Sequence, residues 1–154
     1  MANAESLPRS AYYWVIVADE FQAHFYSRQE KSAAFQEQGS LQNDAAREKL
    51  ENLVTDRDGR GFDSQGAGRH GYGNEKSDAK THSYAVFAKT IAERVRAGRQ
   101  SHKFVKLAVI AAPRFLGVLR NALDKAGIEP DLTINKEVTG QDTDFIQKLM
   151  DDAY

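Results

Sequence analysis

Between Asp56 and His70 the chain places three arginines, one histidine and four glycines. Glycine leaves its backbone N–H uncovered, and arginine offers a planar fork of donors. Arg57, Arg60, Arg69 and His70, on such a backbone, have the composition to follow a row of phosphates into a crowded polar site. A glycine-rich hinge without a ligand is the alternative use of the same residues. Gly66-Ala67-Gly68-Arg69-His70-Gly71 also fits the spacing G-x-G-x-x-G. A dinucleotide fold needs a strand before it and an acidic residue about 20 positions on. Here Asp63, Ser64 and Gln65 precede it, which is no strand. Asp58, Asp63, His70, Glu75 and His82 are metal-ligating types, but no pair stands at tight ligand spacing, and no metal is expected. Ser64 with His70 or His82 has the types of a hydrolase pair, without a nucleophile-elbow sequence to position them.

The 154 residues contain no cysteine, which excludes disulfides, thiol catalysis and thiolate metal sites. Apolar residues make up 41% and charged residues 28% of the chain, enough for one domain with a core of its own. No apolar run reaches the roughly 18 residues of a membrane span. Residues 1–10 lack a signal-peptide core and read as a flexible N-terminus. A cytoplasmic protein without a bound cofactor is the expectation. The formal charge of −1 hides segregation: residues 1–56 carry −4, 57–78 carry 0, 79–127 carry +8, and 128–154 carry −5. The central block, with Lys89, Arg96, Arg99 and Arg114, is either a surface for an anionic partner or a solvated face turned toward the acidic segments.

Hydrophobic patterning supplies the elements that would carry these residues. Ala11–Asp19 and Gln22–Arg28 are rich in aromatic and β-branched residues and read as strands joined by a tight turn at Asp19-Glu20. Ser32–Gln38 is a weaker third strand, and Asn43–Leu53 a short helix capped by Asn43 or Asp44 and anchored by Leu50 and Leu53. Gly59–Gly73 holds six of the chain's 11 glycines, so a long loop is expected at about 54–78. A helix over Ala79–Arg99 follows, its stripe made by Tyr84, Phe87, Ala88, Ile91, Ala92 and Val95. Lys106–Ala111 reads as a strand buried on both faces. Pro113–Ala126 is a helix stopped by Gly127, with Leu116, Leu119, Ala122 and Leu123 inward. Leu132–Val138 is a last strand, and Asp142–Asp152 a last helix with Phe145, Ile146 and Leu149 inward. Three antiparallel strands followed by two helix-linked strands predict one α/β domain over residues 11–154. Its sheet has five mixed strands with helices on both faces.

The segments Tyr12–Arg28, Leu53–Gly73 and Ala111–Leu123 together resemble the host attachment protein family, small bacterial proteins described as required for attachment to host cells. That family in turn is similar to the central domain of archaeal and eukaryotic class-1 translation release factors. The resemblance implies an RNase H-like sheet whose loop enters the ribosome and promotes hydrolysis of the peptidyl-tRNA ester. Where the release-factor pattern is Gly-Arg-Gly-Gly-Gln-Ser, this chain has Gly59-Arg60-Gly61-Phe62-Asp63-Ser64 and so lacks the Gly-Gly-Gln tripeptide. Asp63 and the nearby Gln65 are the candidate catalytic residues this comparison leaves. The implied partners are the ribosome or tRNA. Phosphate would be met by Arg57, Arg60, Arg69 and His70, and the cationic face continued by Lys89, Arg96, Arg99 and Arg114. The alternative is a non-catalytic factor that influences attachment through a protein partner.

Overall fold

The computed structural model describes residues 11–30, 33–48 and 69–153, with residues 69–80 described by their backbone alone. Residues 1–10, the anchors Leu50 and Leu53, and Arg57, Arg60, Asp63 and Gln65 lie outside that description. The described chain runs β1 (Ala11–Ala18), β2 (Gln22–Arg28), β3 (Gln36–Gln42), α1 (Arg69–Gln100), β4 (Phe104–Ala111), α2 (Pro113–Lys125), β5 (Leu132–Asn135) and α3 (Thr143–Asp152). A short helical stretch also begins at residue 44.

The strands form one mixed sheet in the order β3-β2-β1-β4-β5. β1 pairs antiparallel with β2 and β2 antiparallel with β3, whereas β1 with β4 and β4 with β5 are parallel. The hairpin turn is set by Asp19. Its Oδ1 accepts from the N–H groups of Phe21 and Gln22 at 2.7 and 2.9 Å, an Asx turn that closes β1 onto β2.

Alternation along β1 divides the core. Ile16 and Ala18 join Phe25, Val109, the α1 stripe and Phe115, Leu119 and Leu123 of α2. Tyr13, Val15 and Val17 join Ala108, Ile110, Ile146 and Met150. Thus α1 and α2 cover one face of the sheet and α3 the other. Each fully buried Ile, Leu or Phe contributes about 1.5–3 kcal/mol by leaving water. Arg28 fastens α3 to the sheet, with its guanidinium 4.1 Å over the Phe35 ring and 3.4 Å from Asp151 Oδ1.

Three boundaries and one inward face differ from the sequence expectation. The third strand is Gln36–Gln42, not Ser32–Gln38, because Phe35 serves the core while the sheet's outer strand is mostly exposed and can be polar. The long helix starts at Arg69, ten residues before the expected Ala79, so the loop expected at 54–78 does not extend past residue 68. Gly71 and Gly73 cost a helix about 1 kcal/mol each relative to alanine. Extending a helix already nucleated by the packed stripe adds one hydrogen bond per residue, which offsets that cost. β5 stops at Asn135, and Val138 buries itself below the sheet instead of extending it. In α3, Ile146 is buried and Leu149 packs partly against the core as expected, but Met150 takes the inward place expected of Phe145, which is exposed.

The α2 boundaries match. Pro113 opens the helix, and Gly127 adopts φ 77° just past its end. Ile128 N–H then donates to Leu123 O at 2.9 Å and Gly127 N–H to Asp124 O at 3.0 Å, the paired bonds of a Schellman stop. Phe115, absent from the expected inward set, is fully buried. Among the described residues no helix is long and apolar enough to cross a membrane.

Candidate functional site

The parallel strands β1 and β4 finish side by side, Ala18 beside Ala111, in the middle of the sheet. From there β1 turns back into β2 and β4 leads on to β5, so the chain departs in opposite directions. In open α/β sheets that parting is where ligands sit. Asp19 and Glu20 follow β1, Pro113 and Arg114 follow β4, and Glu137 and Thr139 follow β5. One oxygen from each of Asp19, Glu20 and Glu137 lies within 4.8 Å of the others. Thr139 Oγ1 is 2.7 Å from both Asp19 Oδ2 and Glu137 Oε1. One hydroxyl proton serves only one of them at a time.

Glu20 is buried, and its carboxylate meets Arg114 Nε at 3.3 Å. Behind it, Asn43 Nδ2 donates to the Glu20 carbonyl at 2.9 Å and to Ser83 Oγ at 3.2 Å. The Oδ1 of Asn43 accepts from Ala46 N–H at 3.4 Å, capping the short helix as expected. Burial, and then the Glu20 charge, push the Tyr84 phenol above its ordinary range, with Arg114 opposing. An all-oxygen cluster suits a hard cation such as Mg²⁺ or Ca²⁺. Yet Asp19 already holds the hairpin and Glu20 already holds Arg114. Sequence reasoning missed this cluster: Asp19-Glu20 after an apolar strand was readable as a turn, but nothing in spacing ties it to Glu137. Of the metal-ligating types weighed from the sequence, His82 is exposed on α1 and apart from it.

The cations form a second arrangement. Short connections at both ends of β4 make α1 and α2 each run antiparallel to it, hence parallel to one another. Arg94 leaves α1 on the flank toward β2, where its guanidinium lies 4.5 Å over the Phe25 ring. At about 100° per residue, Arg99 falls on the other flank, toward α2, and Lys89 and Arg96 fall between that flank and the outward face. All three are exposed, and among the described residues none is in an ion pair. The same spacing puts Arg114 and Lys125 on the α2 flank toward α1, because Val118 and Ala122, which pack on that side's core, share it. The surface groove between the two helices is therefore edged by five cations.

Of the eight nucleic-acid-binding residues expected from the sequence, Lys89, Arg96, Arg99 and Arg114 lie along this groove. Lys125 was missed and belongs with them. Arg69 and His70 sit in the first turn of α1 rather than in a loop. Arg69 and Arg99, 30 positions apart, are separated by about 45 Å of helix, so these residues form a track and not a compact pocket. Arg114 is not a free cation, since Glu20 holds it. Within the acidic segment 128–154, α3 packs on the far face of the sheet, so its acids do not neutralise the basic block.

No curated protein matches the chain. A family described as "Protein required for attachment to host cells" matches residues 14–149. That span takes in the whole of the sheet but the first residues of β1, with α1, α2 and most of α3. The chain belongs to this host attachment family.

Proposed function

We propose that this host attachment family member is an RNA- or ribosome-interacting domain acting in the cytoplasm, on an RNase H-like scaffold of release-factor type. The groove between α1 and α2 carries the reading. Lys89, Arg96, Arg99, Arg114 and Lys125 follow it, and among the described residues only Arg114 of these is in an ion pair, with Glu20. A cationic row on rigid helices is suited to polyphosphate, and counterion release would drive the association. The strand order β3-β2-β1-β4-β5, with its two antiparallel and two parallel pairings, supports the scaffold assignment. In this reading Arg69 and His70, in the first turn of α1, continue the track, and Arg57 and Arg60 also contact phosphate. If Asp63 or Gln65 orients a water against an ester, the domain is also a peptidyl-tRNA or related ester hydrolase.

Co-sedimentation of the full chain with ribosomes at low and high salt tests the proposal. Migration with ribosomes at low salt, lost at high salt and in Arg96→Ala/Arg99→Ala and Arg60→Ala/Arg69→Ala variants, is the expected result. A chain that stays at the top of the gradient at every salt concentration, and binds no tRNA, contradicts it.

A further inference from the structure

We infer that the α1–α2 groove receives the phosphate backbone of a double helix and leaves the bases unread. This rests on the proposed polyanion role and adds the form of nucleic acid that fits.

Three observations carry it. The cations are fixed to regular helices: Lys89 and Arg96 stand two turns apart, about 10.5 Å, with Arg99 a further turn on. Arg114 is steadied by the buried Glu20 carboxylate at 3.3 Å. A preset row of charges matches phosphates that a stiff duplex already holds in register, whereas a single strand must first be ordered.

The second observation concerns rings. Among the described residues the exposed large apolar side chains are Val86, Val105 and Phe145. The one ring among them, Phe145, is on α3, across the sheet. Tyr84, on the groove's own helix, is partly buried against the core. Single-strand binding draws much of its affinity from bases stacking on open rings, and the described side chains of this face offer none.

The third concerns base readout. Carboxylates that accept from cytosine are one means of reading a sequence. On α2, Asp124 lies on the flank toward Gly127–Pro130, away from the groove. Glu93 of α1 lies one turn from both Lys89 and Arg96 on the same exposed face, where it tunes their charge, and it is the one carboxylate among the described residues of that face of α1.

Fluorescence anisotropy with the full chain at low salt decides the matter. The probes are two RNA duplexes of about 16 bp and unrelated sequence, one of their strands alone, and a DNA duplex. The two RNA duplexes should bind within about twofold of each other and the single strand about tenfold more weakly. Arg96→Gln/Arg99→Gln should weaken both duplexes by the same factor without changing the circular dichroism. Preference for RNA over DNA identifies the source as RNA. Equal binding identifies any duplex, and either result supports the backbone reading. A single strand bound as tightly as the duplex, or a tenfold preference between the two sequences, overturns the inference while leaving RNA interaction intact. Failure of every RNA probe overturns both.

Discussion

Arg114 Nε stands 3.3 Å from Glu20 Oε2, so the first turn of α2 is tied to the turn that ends β1. The pair is asymmetric: the Arg114 side chain is 78% exposed and that of Glu20 only 3%. The arginine can therefore meet a ligand, while the carboxylate depends on the arginine.

Arg114→Ala should accordingly destabilise the fold through Glu20, which loses its cation while staying buried. About 1–2 kcal/mol is expected, toward the low end for a charge left unpaired, because half of the pair faces solvent. Adding Glu20→Gln to that variant should restore most of the loss, since a neutral amide needs no counter-charge. Urea denaturation of the wild type and both variants measures this. If Arg114→Ala unfolds with the wild-type midpoint, the pair contributes nothing.

Gly98 lies under the ring of Trp14, and a Cβ there would come within 2.5 Å of the indole. Gly98→Ala should cost about 1–3 kcal/mol of overpacking and force the ring to move. Trp14 is the only tryptophan in the chain, so its emission spectrum reports the movement directly. An unshifted spectrum with unchanged stability would contradict the close packing of α1 on β1.

Asn43 joins three pieces of chain, through the Glu20 carbonyl, the Ser83 hydroxyl and the Ala46 N–H. Asn43→Ala should cost about 1–2 kcal/mol, from the lost cap and the unpaired buried acceptor. Asn43→Asp keeps the cap acceptor but loses the donors and adds a charge beside Glu20, so it should be no better. Thermal unfolding of the two variants gives the comparison.

Tyr26 and Tyr84 both ionise above the ordinary tyrosine value of 10.0 in the folded chain. Burial is the main cause for each, joined by Glu37 and Asp142 at Tyr26 and by Glu20 at Tyr84. The folded state thus keeps protons that the unfolded chain releases. By linkage, the stabilising effect is complete below pH about 10 and is lost as pH rises through the folded values. A urea midpoint followed from pH 9 to 11 should fall, and Tyr84→Phe should flatten the fall.

Much of this architecture was legible because single segments declared themselves. The apolar run of β4 announced a strand buried on both faces, and the Tyr84–Val95 stripe announced a helix. Pro113 and Gly127 bracketed α2 nearly to the residue. The outer strand was misplaced because Gln36–Gln42 buries little, leaving no hydrophobic alternation to read. The start of α1 was missed because its first ten residues are polar and glycine-containing, and propagation from the packed half outweighs local preference. For the candidate site, Lys89, Arg96, Arg99 and Arg114 were readable as a charge block. That they share a groove with Lys125 was not, since it depends on two helices running parallel. The Asp19–Glu20–Glu137 cluster joins residues more than a hundred positions apart, which only the sheet order brings together.

The slope of log affinity against log salt for tRNA tests the central claim most directly. Each phosphate contact adds about 0.7–0.9 to that slope. The account predicts a steep negative slope for the wild-type chain. In a Lys89→Gln/Arg96→Gln/Arg99→Gln variant of unchanged fold, it predicts a slope shallower by about two. A variant slope equal to that of the wild type, or affinity that ignores salt, would contradict it.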